Sequence, residues 1–475
     1  MNKRSSYLLK NVGILTISNF ASRILVFLMV PLYTSVLSTV DVGGYDLIVS
    51  TVSLLYPILT CNISDAVMRF SMDREYSRDK VTNIGSRFVV ISIGIFALFL
   101  WIISKLGFWN QINGLEWYIL LFYVFFVLHQ FLIQVAKGYE QVAAMGIAGG
   151  LSTVVMVLSN VLLLWVFRLG LPGFFIANIL SHAVPVVYFI FKLKLHKQSK
   201  KNTAINKNLC KNMLAYCMPL IFTAIGWWVN SSSDRYVVSL MCGVAANGIL
   251  SVAYKMPQII NTLQGIFIQA WQISAIKEYG NNDTPSFYGK SFSVMNLMMS
   301  IACSLLILLA KPIGKVLYAN EFYVAWQYTP FLLISCVLNS ASGFLGPILS
   351  AKKDSRSMAL SAIYGSAANI VLNIAFVYLI GVQGVTIATA VSSYIIFVIR
   401  KRAVGKAIQF EKNKVIFLSW LLLVTQACLE VYTSLWYVEI LLIIIILIMN
   451  WVEVDSIFRT VLKLIFKHKR EERAA

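Results

Sequence analysis

The sequence predicts an all-α polytopic membrane protein of about fourteen transmembrane helices, built as two six-helix lobes with two further helices after them. Three observations predict it. The 475 residues are 59% hydrophobic, with a mean hydropathy of +0.76. Only 13% of them are charged, where a soluble chain keeps roughly 25% to cover its surface. The apolar residues also come in runs of about 20, the length that crosses the hydrocarbon of a bilayer.

The first run, 11–37, follows Lys3, Arg4 and Lys10. It is too long for the apolar core of a cleavable leader and it contains Arg23, so it is read as a retained helix with the N-terminus in the cytoplasm. Runs at 42–68, 84–106, 115–136, 142–167 and 171–192 complete a first lobe, 1–195. A basic cytoplasmic linker, 196–211, separates it from a second lobe, 212–406, with runs at 212–241, 247–274, 288–310, 325–350, 357–380 and 384–403. Runs at 415–432 and 436–452 make up the segment 407–452. The basic amphipathic tail, 453–475, is expected on the cytoplasmic leaflet. Pro31, Pro57, Pro185, Pro219 and Pro257 fall inside runs, which membrane helices tolerate where neighbours satisfy the freed backbone groups.

The net charge of +20 would suggest nucleic acid in a soluble protein. Its distribution excludes that reading. The basic residues concentrate in alternate loops: Arg69 to Arg87, Lys192 to Lys211, Lys352 to Arg356, Arg400 to Lys414, and the tail from Arg459. The opposite loops hold only Lys105, Arg168, Lys311 and Lys315. This is the positive-inside pattern, and it sets both termini in the cytoplasm. With short loops, it points to a bacterial inner membrane. The seven cysteines form no C-x-x-C pair and read as small packing residues.

An internal repeat supports the two lobes. Asn160, Gly170-Leu-Pro-Gly173 and Ile176-Ala177 in the first lobe answer to Asn373, Gly381-Val-Gln-Gly384 and Ile387-Ala388 in the second. The Gly-x-x-Gly and Ile-Ala elements keep one spacing; the distance from Asn to Gly differs by about two residues.

Ionisable groups inside a span are expensive and are functional candidates by default. Arg23 falls near the middle of the first run, Asp46 about one turn into the second, Asp234 and Arg235 in the seventh, and Lys255 about two turns into the eighth. Two readings are open for Arg235: an ion pair holding helices together, or part of a cationic cavity suited to an anionic substrate. Arg69, beside Asp65 at the end of the second run, is either a positive-inside anchor or, with Asp65, a gate. Ser231 to Asp234, Asn369 with Asn373, and Thr386 with Thr389 put oxygens on three runs; Thr389 shares a face with Val385. They either bond helix to helix or hold a small cation. Trp227, Trp228, Tyr236, Tyr254 and Trp271 either form interfacial belts or stack on sugars. No enzyme signature occurs: His129, His182, His196 and His468 show no metal-ligand spacing, no phosphate loop is present, and no outer loop is long.

The stretches Tyr216-Cys-Met-Pro219, Trp227-Trp228, Ser232-Ser-Asp-Arg-Tyr236 and Ser251-Val-Ala-Tyr-Lys255 closely resemble the polysaccharide biosynthesis (O-antigen and capsule repeat-unit) flippases. These belong to the multidrug/oligosaccharidyl-lipid/polysaccharide exporter superfamily. Leu9-Lys-Asn11, Arg23, Pro31, Gly43-Gly-Tyr45, Asn369-Ile-Val-Leu-Asn373 and Gly384 to Thr389 extend the resemblance over about the first 400 residues. The resemblance implies two lobes around a central cavity, rocking to give alternating access to a polyprenyl-pyrophosphate-linked oligosaccharide. Arg23, Arg235 and Lys255 would bind the pyrophosphate. Asp234, Asn369, Asn373, the Val385 carbonyl and Thr389 match a cation site of the lipid II flippase branch. Asn373 stands where that branch has a second carboxylate, which weighs against Na⁺ coupling and leaves H⁺ coupling through Asp234, or consumption of the product. No cofactor or firm metal is implied; the partners would be the lipid-linked substrate, membrane lipids and a polysaccharide polymerase machinery. The competing readings are an organic-cation or multidrug exporter, which would want an acidic cavity, and a glycan polymerase or ligase, which would want a long outer loop. Replacing Arg23 or Arg235 by Ala should abolish transport and leave membrane insertion intact; normal transport in both single variants would remove the cationic-cavity reading.

Overall fold

In the computed structural model, residues 24–73, 75–106, 114–195, 206–280, 283–410, 413–433, 435–456 and 458–459 are described. Every regular element among them is helical. The N-terminal helices are α1 (Val30–Val36), α2 (Thr39–Leu59), α3 (Ile63–Ser71), α4 (Arg78–Leu106), α5 (Glu116–Gly138), α6 (Val142–Asn160) and α7 (Gly170–Lys192). Then come α8 (Lys207–Cys242), α9 (Val244–Ala253), α10 (Pro257–Lys277), α11 (Thr284–Leu308) and α12 (Ala310–Leu317). The last are α13 (Ala325–Ala351), α14 (Ser355–Ile380), α15 (Val382–Val404), α16 (Asn413–Tyr432) and α17 (Trp436–Met449).

Among the described residues, 11 helices are long and apolar enough to span a bilayer, with three shorter apolar ones at Ile24–Val36, Val244–Ala253 and Trp436–Met449. The expected fourteen spans are therefore not all found as single helices. Two runs are interrupted. The second breaks at Cys61 and Asn62, both left-handed at φ 52° and 50°, behind Pro57 in the last turn of α2. The eighth breaks at Tyr254 to Met256, so Lys255 lies in a turn between α9 and α10 and not within a helix. Pro257 causes this: it has no N–H to donate to the preceding turn, and it takes the first position of α10. α10 carries Gln258, Asn261, Gln264, Gln269 and Gln272 and falls outside the span-like set. Arg23, the core of the linker and the tail from 460 lie outside the described residues.

Local signals set the other boundaries. Ser38 and Asp41 form a reciprocal capping box at the start of α2, and Asp354 accepts from the Ser357 N–H to cap α14. Gly381, at φ 65°, separates α14 from α15. α8 runs for 36 residues, which at 1.5 Å per residue is about 54 Å and exceeds a hydrocarbon core of about 30 Å. α6 continues into a π turn, Val161–Val166, followed by Arg168 at φ 51°. The expected repeat differs by about two residues between Asn160 and Gly170, and this irregular stretch lies between them.

The chain forms two compact units. One comprises 1–251 with 317–322; the other comprises 252–316 with 323–475. The N-terminal unit packs around Val67, Phe96, Tyr123, Phe131 and Phe189, with Phe96 stacked on Tyr123 at 3.8 Å. Its detached segment is held by Thr34 Oγ1, which donates to the Leu317 carbonyl at 3.2 Å, and by Thr39 Oγ1, which donates to Glu321 Oε2 at 3.1 Å. The C-terminal unit is built on α13, apolar around nearly its whole circumference and buried accordingly. Trp271 stacks on Phe344 at 4.0 Å and donates Nε1–H to its carbonyl at 2.9 Å, so this tryptophan is core and no sugar platform.

Glycines let helices of the N-terminal unit touch backbone to backbone. A Cβ at Gly43 would lie 2.0 Å from the Val244 oxygen, and one at Gly248 would lie 1.9 Å from the Thr39 oxygen. Close approach through small residues drives helix association in lipid, where apolar burial adds little. Gly43→Ala and Gly248→Ala should each lower the thermal midpoint of the detergent-purified protein, at a cost of about 1–3 kcal/mol. Gly44→Ala, whose Cβ meets nothing within 4 Å, serves as the unaffected control.

Candidate functional site

The glycine contact fixes where polar groups on α2, α8 and α9 meet. Gly43 and Asp46 are three apart on α2, Gly44 and Leu47 beside them, so the helix that touches α9 also presents Asp46 near its crossing. Arg235 Nε reaches Asp46 Oδ2 at 2.7 Å; each side chain is only 21% exposed. Arg235 Nη1 also donates to the Ser231 carbonyl at 2.8 Å and to Ser232 Oγ at 3.3 Å. Asn247 on α9 donates to the Gly43 carbonyl at 3.1 Å and faces Asp46 Oδ2 at 3.5 Å. One turn along α2 from Asp46, Trp228 Nε1–H donates to the Ser50 carbonyl at 2.7 Å. Tyr236 OH pairs with Thr51 Oγ1 at 2.7 Å. The result is a continuous polar seam within the N-terminal unit, with a carboxylate–guanidinium pair at one end and two aromatic rings, Trp228 and Tyr236, 5.3 Å apart at the other.

Of the two readings of Arg235, the ion pair is the one present in this structure. The carboxylate beside it orients Arg235 as well as neutralising it. Asp234, its neighbour in sequence, is buried in the same unit.

Asp65 and Arg69 take separate partners. Asp65 Oδ2 accepts from Asn62 Nδ2 at 2.9 Å and its Oδ1 from Gln134 Nε2 at 2.8 Å. Arg69 Nη1 lies 4.0 Å from Asp73 Oδ2, one turn on and largely exposed. The carboxylate of the expected gate thus serves the break between α2 and α3.

In the C-terminal unit, four residues of the expected cation cluster, Asn369, Asn373, Val385 and Thr389, lie on α14 and α15. Asn373 Nδ2 donates to Asn369 Oδ1 at 3.0 Å, and Asn369 Nδ2 to Ser392 Oγ at 3.3 Å. Thr389 Oγ1 donates to the Val385 carbonyl at 2.9 Å. Gly384 makes this possible: a Cβ there would sit 2.3 Å from the Phe376 backbone. Asn369, Asn373 and Val385 are buried. Among the described residues, no group of three or more His, Cys, Asp or Glu side chains could hold a metal ion.

Sequence reasoning missed three features. His129 and His182 place their Nδ1 atoms 2.9 Å apart inside the N-terminal unit; they are far apart in sequence, and only the packing of α5 on α7 joins them. The backbone partners of Trp228 and Asn247 carry no sequence signal. Glu430, Glu439 and Lys311, which meet in the C-terminal unit, had a signal: two of them are carboxylates in apolar helices.

These features define a polytopic membrane protein whose described residues are all-helical, and its relatives narrow the class. The chain belongs to the polysaccharide biosynthesis protein family, whose model matches residues 8–276, more than half of its length. No curated protein matches it. Among solved structures it is similar to the lipid II flippase MurJ in an inward closed conformation, with a TM-score of 0.68 and 16% identity over 94% of this chain and 99% of that one. It is also similar to an inward-facing multidrug resistance MATE family transporter of the MOP superfamily, with a TM-score of 0.64 and 13% identity over 83% and 95%. A third, a MATE protein in complex with MaD3S, has a TM-score of 0.57 and 12% identity over 84% and 96%. At these identities the likeness is one of fold.

The ion pair can be tested apart from any transport. Asp46→Asn and Arg235→Gln should each lower the thermal midpoint, because each strands a half-buried charge. The double variant should recover part of the loss, giving a coupling energy of about 0.5–3 kcal/mol. A coupling near zero would mean that the pair does not hold α2 to α8.

Proposed function

We propose that this protein is a flippase that moves polyprenyl-pyrophosphate-linked oligosaccharide repeat units from the cytoplasmic to the outer leaflet, for O-antigen or capsule synthesis. The observation that carries the reading is membership of the polysaccharide biosynthesis family across the stretch containing Arg23, Arg235 and Lys255. A pyrophosphate is best met by guanidinium forks and an ammonium, and these three residues supply them. The likeness to a lipid II flippase is consistent with a substrate of this shape, a polar head on a long lipid.

The Asp46–Arg235 pair suggests how binding would couple to movement. A pyrophosphate competes with Asp46 for the guanidinium, and its arrival would loosen α2 from α8. A ligand shifts a conformational equilibrium only by such a difference in affinity between states. Asp234, Asn369, Asn373, Val385 and Thr389 are the residues proposed for H⁺ or Na⁺ coupling, and both termini are proposed to be cytoplasmic in a bacterial inner membrane. A polysaccharide polymerase would consume the flipped unit. No step of this cycle makes or breaks a covalent bond.

The test is an accessibility assay in a strain that makes a lipid-linked oligosaccharide, with this protein depleted. Repeat units are labelled from outside by a membrane-impermeant probe. Labelling should fall by roughly tenfold or more on depletion and return with the wild-type protein. Unchanged labelling with a loss of resistance to a cationic drug would replace this reading by the drug-exporter one.

A further inference from the structure

Glu430, near the end of α16, is 4% exposed, and Glu439, in the first turn of α17, is 1% exposed. Their carboxyl groups are close enough to interact side chain to side chain. Three elements close around them. From α11, Ser304 donates Oγ–H to Gln426 Oε1 at 2.5 Å, and its carbonyl accepts from Gln426 Nε2 at 2.9 Å. Gln426, on α16 one turn before Glu430, also donates to Glu439 Oε2 at 3.4 Å. From α12, Lys311 places Nζ 3.7 Å from Glu430 Oε2 and donates its backbone N–H to Glu430 Oε1 at 3.3 Å. That ammonium is shared: it donates to the Thr433 carbonyl at 2.9 Å and lies over the Trp326 ring at 4.8 Å. Glu439 Oε1 is buried and meets no donor among the described residues.

An ion pair pinning α12 to α16 accounts for Lys311 and Glu430, and for nothing more. It leaves Glu439 with one oxygen unsatisfied and a second carboxylate opposite it. Two carboxylates set against one ammonium carry an excess negative charge in a buried place, which is costly. A single proton resolves both faults. One carboxyl becomes an O–H donor, the other accepts, and the orphaned oxygen is used.

We propose that Glu430 and Glu439 hold one proton between them, making the turn between α16 and α17 a proton-binding site. It shares no residue with the cluster on α14 and α15, and it stands whatever the chain transports. Loss of the proton would set the two carboxylates against each other and loosen α17 from α16, with Lys311 retained by Glu430.

The test is infrared spectroscopy on the full-length protein in lipid nanodiscs at neutral pH. The wild type should show the carbonyl stretch of a protonated, buried carboxyl, shifted in D₂O and identical in sodium and potassium buffers. Glu439→Gln, which keeps a donor toward Glu430 and should fold normally, is expected to lose that band, and Glu430→Gln likewise. Absence of the band in the wild type overturns the proposal. So does its persistence in both variants, which would assign it to another carboxyl, and so does its disappearance on adding sodium, which would put a metal ion in the site.

Discussion

A chain in lipid has no water to satisfy its backbone, so each N–H and C=O must find a partner within the protein. The rest of this structure follows from that demand. Helices meet it by themselves, which is why every regular element described is one. Where a helix breaks, the chain supplies replacements from nearby. At the break after α2, the Asn62 N–H donates to the Pro57 carbonyl at 2.8 Å, and Cys217 Sγ donates to the Asn62 carbonyl at 3.3 Å. Asp65 then holds the Asn62 side chain. At the break before α10, the Lys255 N–H donates to the Val252 carbonyl at 3.0 Å. Both interruptions fall beside ionisable residues, so departures from regular backbone coincide with the residues that carry charge.

The same demand explains the polar seam of the N-terminal unit. Contact between α2 and α9 without side chains at Gly43 and Gly248 brings main chains within reach of polar side chains. Asn247, Trp228 and Tyr236 then bond to carbonyls or to a hydroxyl of α2. A guanidinium that would be costly alone in lipid is tolerable because Asp46 lies opposite it. Stability and recognition draw on one set of groups here: a ligand that engages Arg235 must compete with a bond that holds two helices.

Much of the fold was legible in the sequence, because hydropathy over about 20 residues and loop charge are strong, local signals. The helices 84–106, 115–136 and 325–350 are found within a few residues of their expected ends, or somewhat longer. The two broken runs were less legible. Pro57 and Pro257 were visible, but a proline in an apolar run is as often absorbed as it is a break, and neighbouring helices decide which. Of the site, Arg235 and Asp46 stood out as charges in apolar runs, while their pairing did not, since it depends on how α2 crosses α8. The Asn369–Asn373 contact was legible because four residues bring side chains to one helical face. The His129–His182 contact was not, being made between α5 and α7.

The π turn at Val161–Val166 has a consequence for the symmetry of the chain. Two extra residues in a regular helix would rotate everything after them by about 200°. Here the surplus is taken up in one loosely wound turn and one left-handed residue, so that Gly170, Gly173 and the Ile176-Ala177 pair resume the order of their counterparts. Asn160 lies just before that turn and donates to its own helix, at the Met156 carbonyl, while Asn373 donates to Asn369. Two stretches that read alike in sequence thus use their asparagines differently, one to bond its own helix backbone and the other to bond a side chain one turn away.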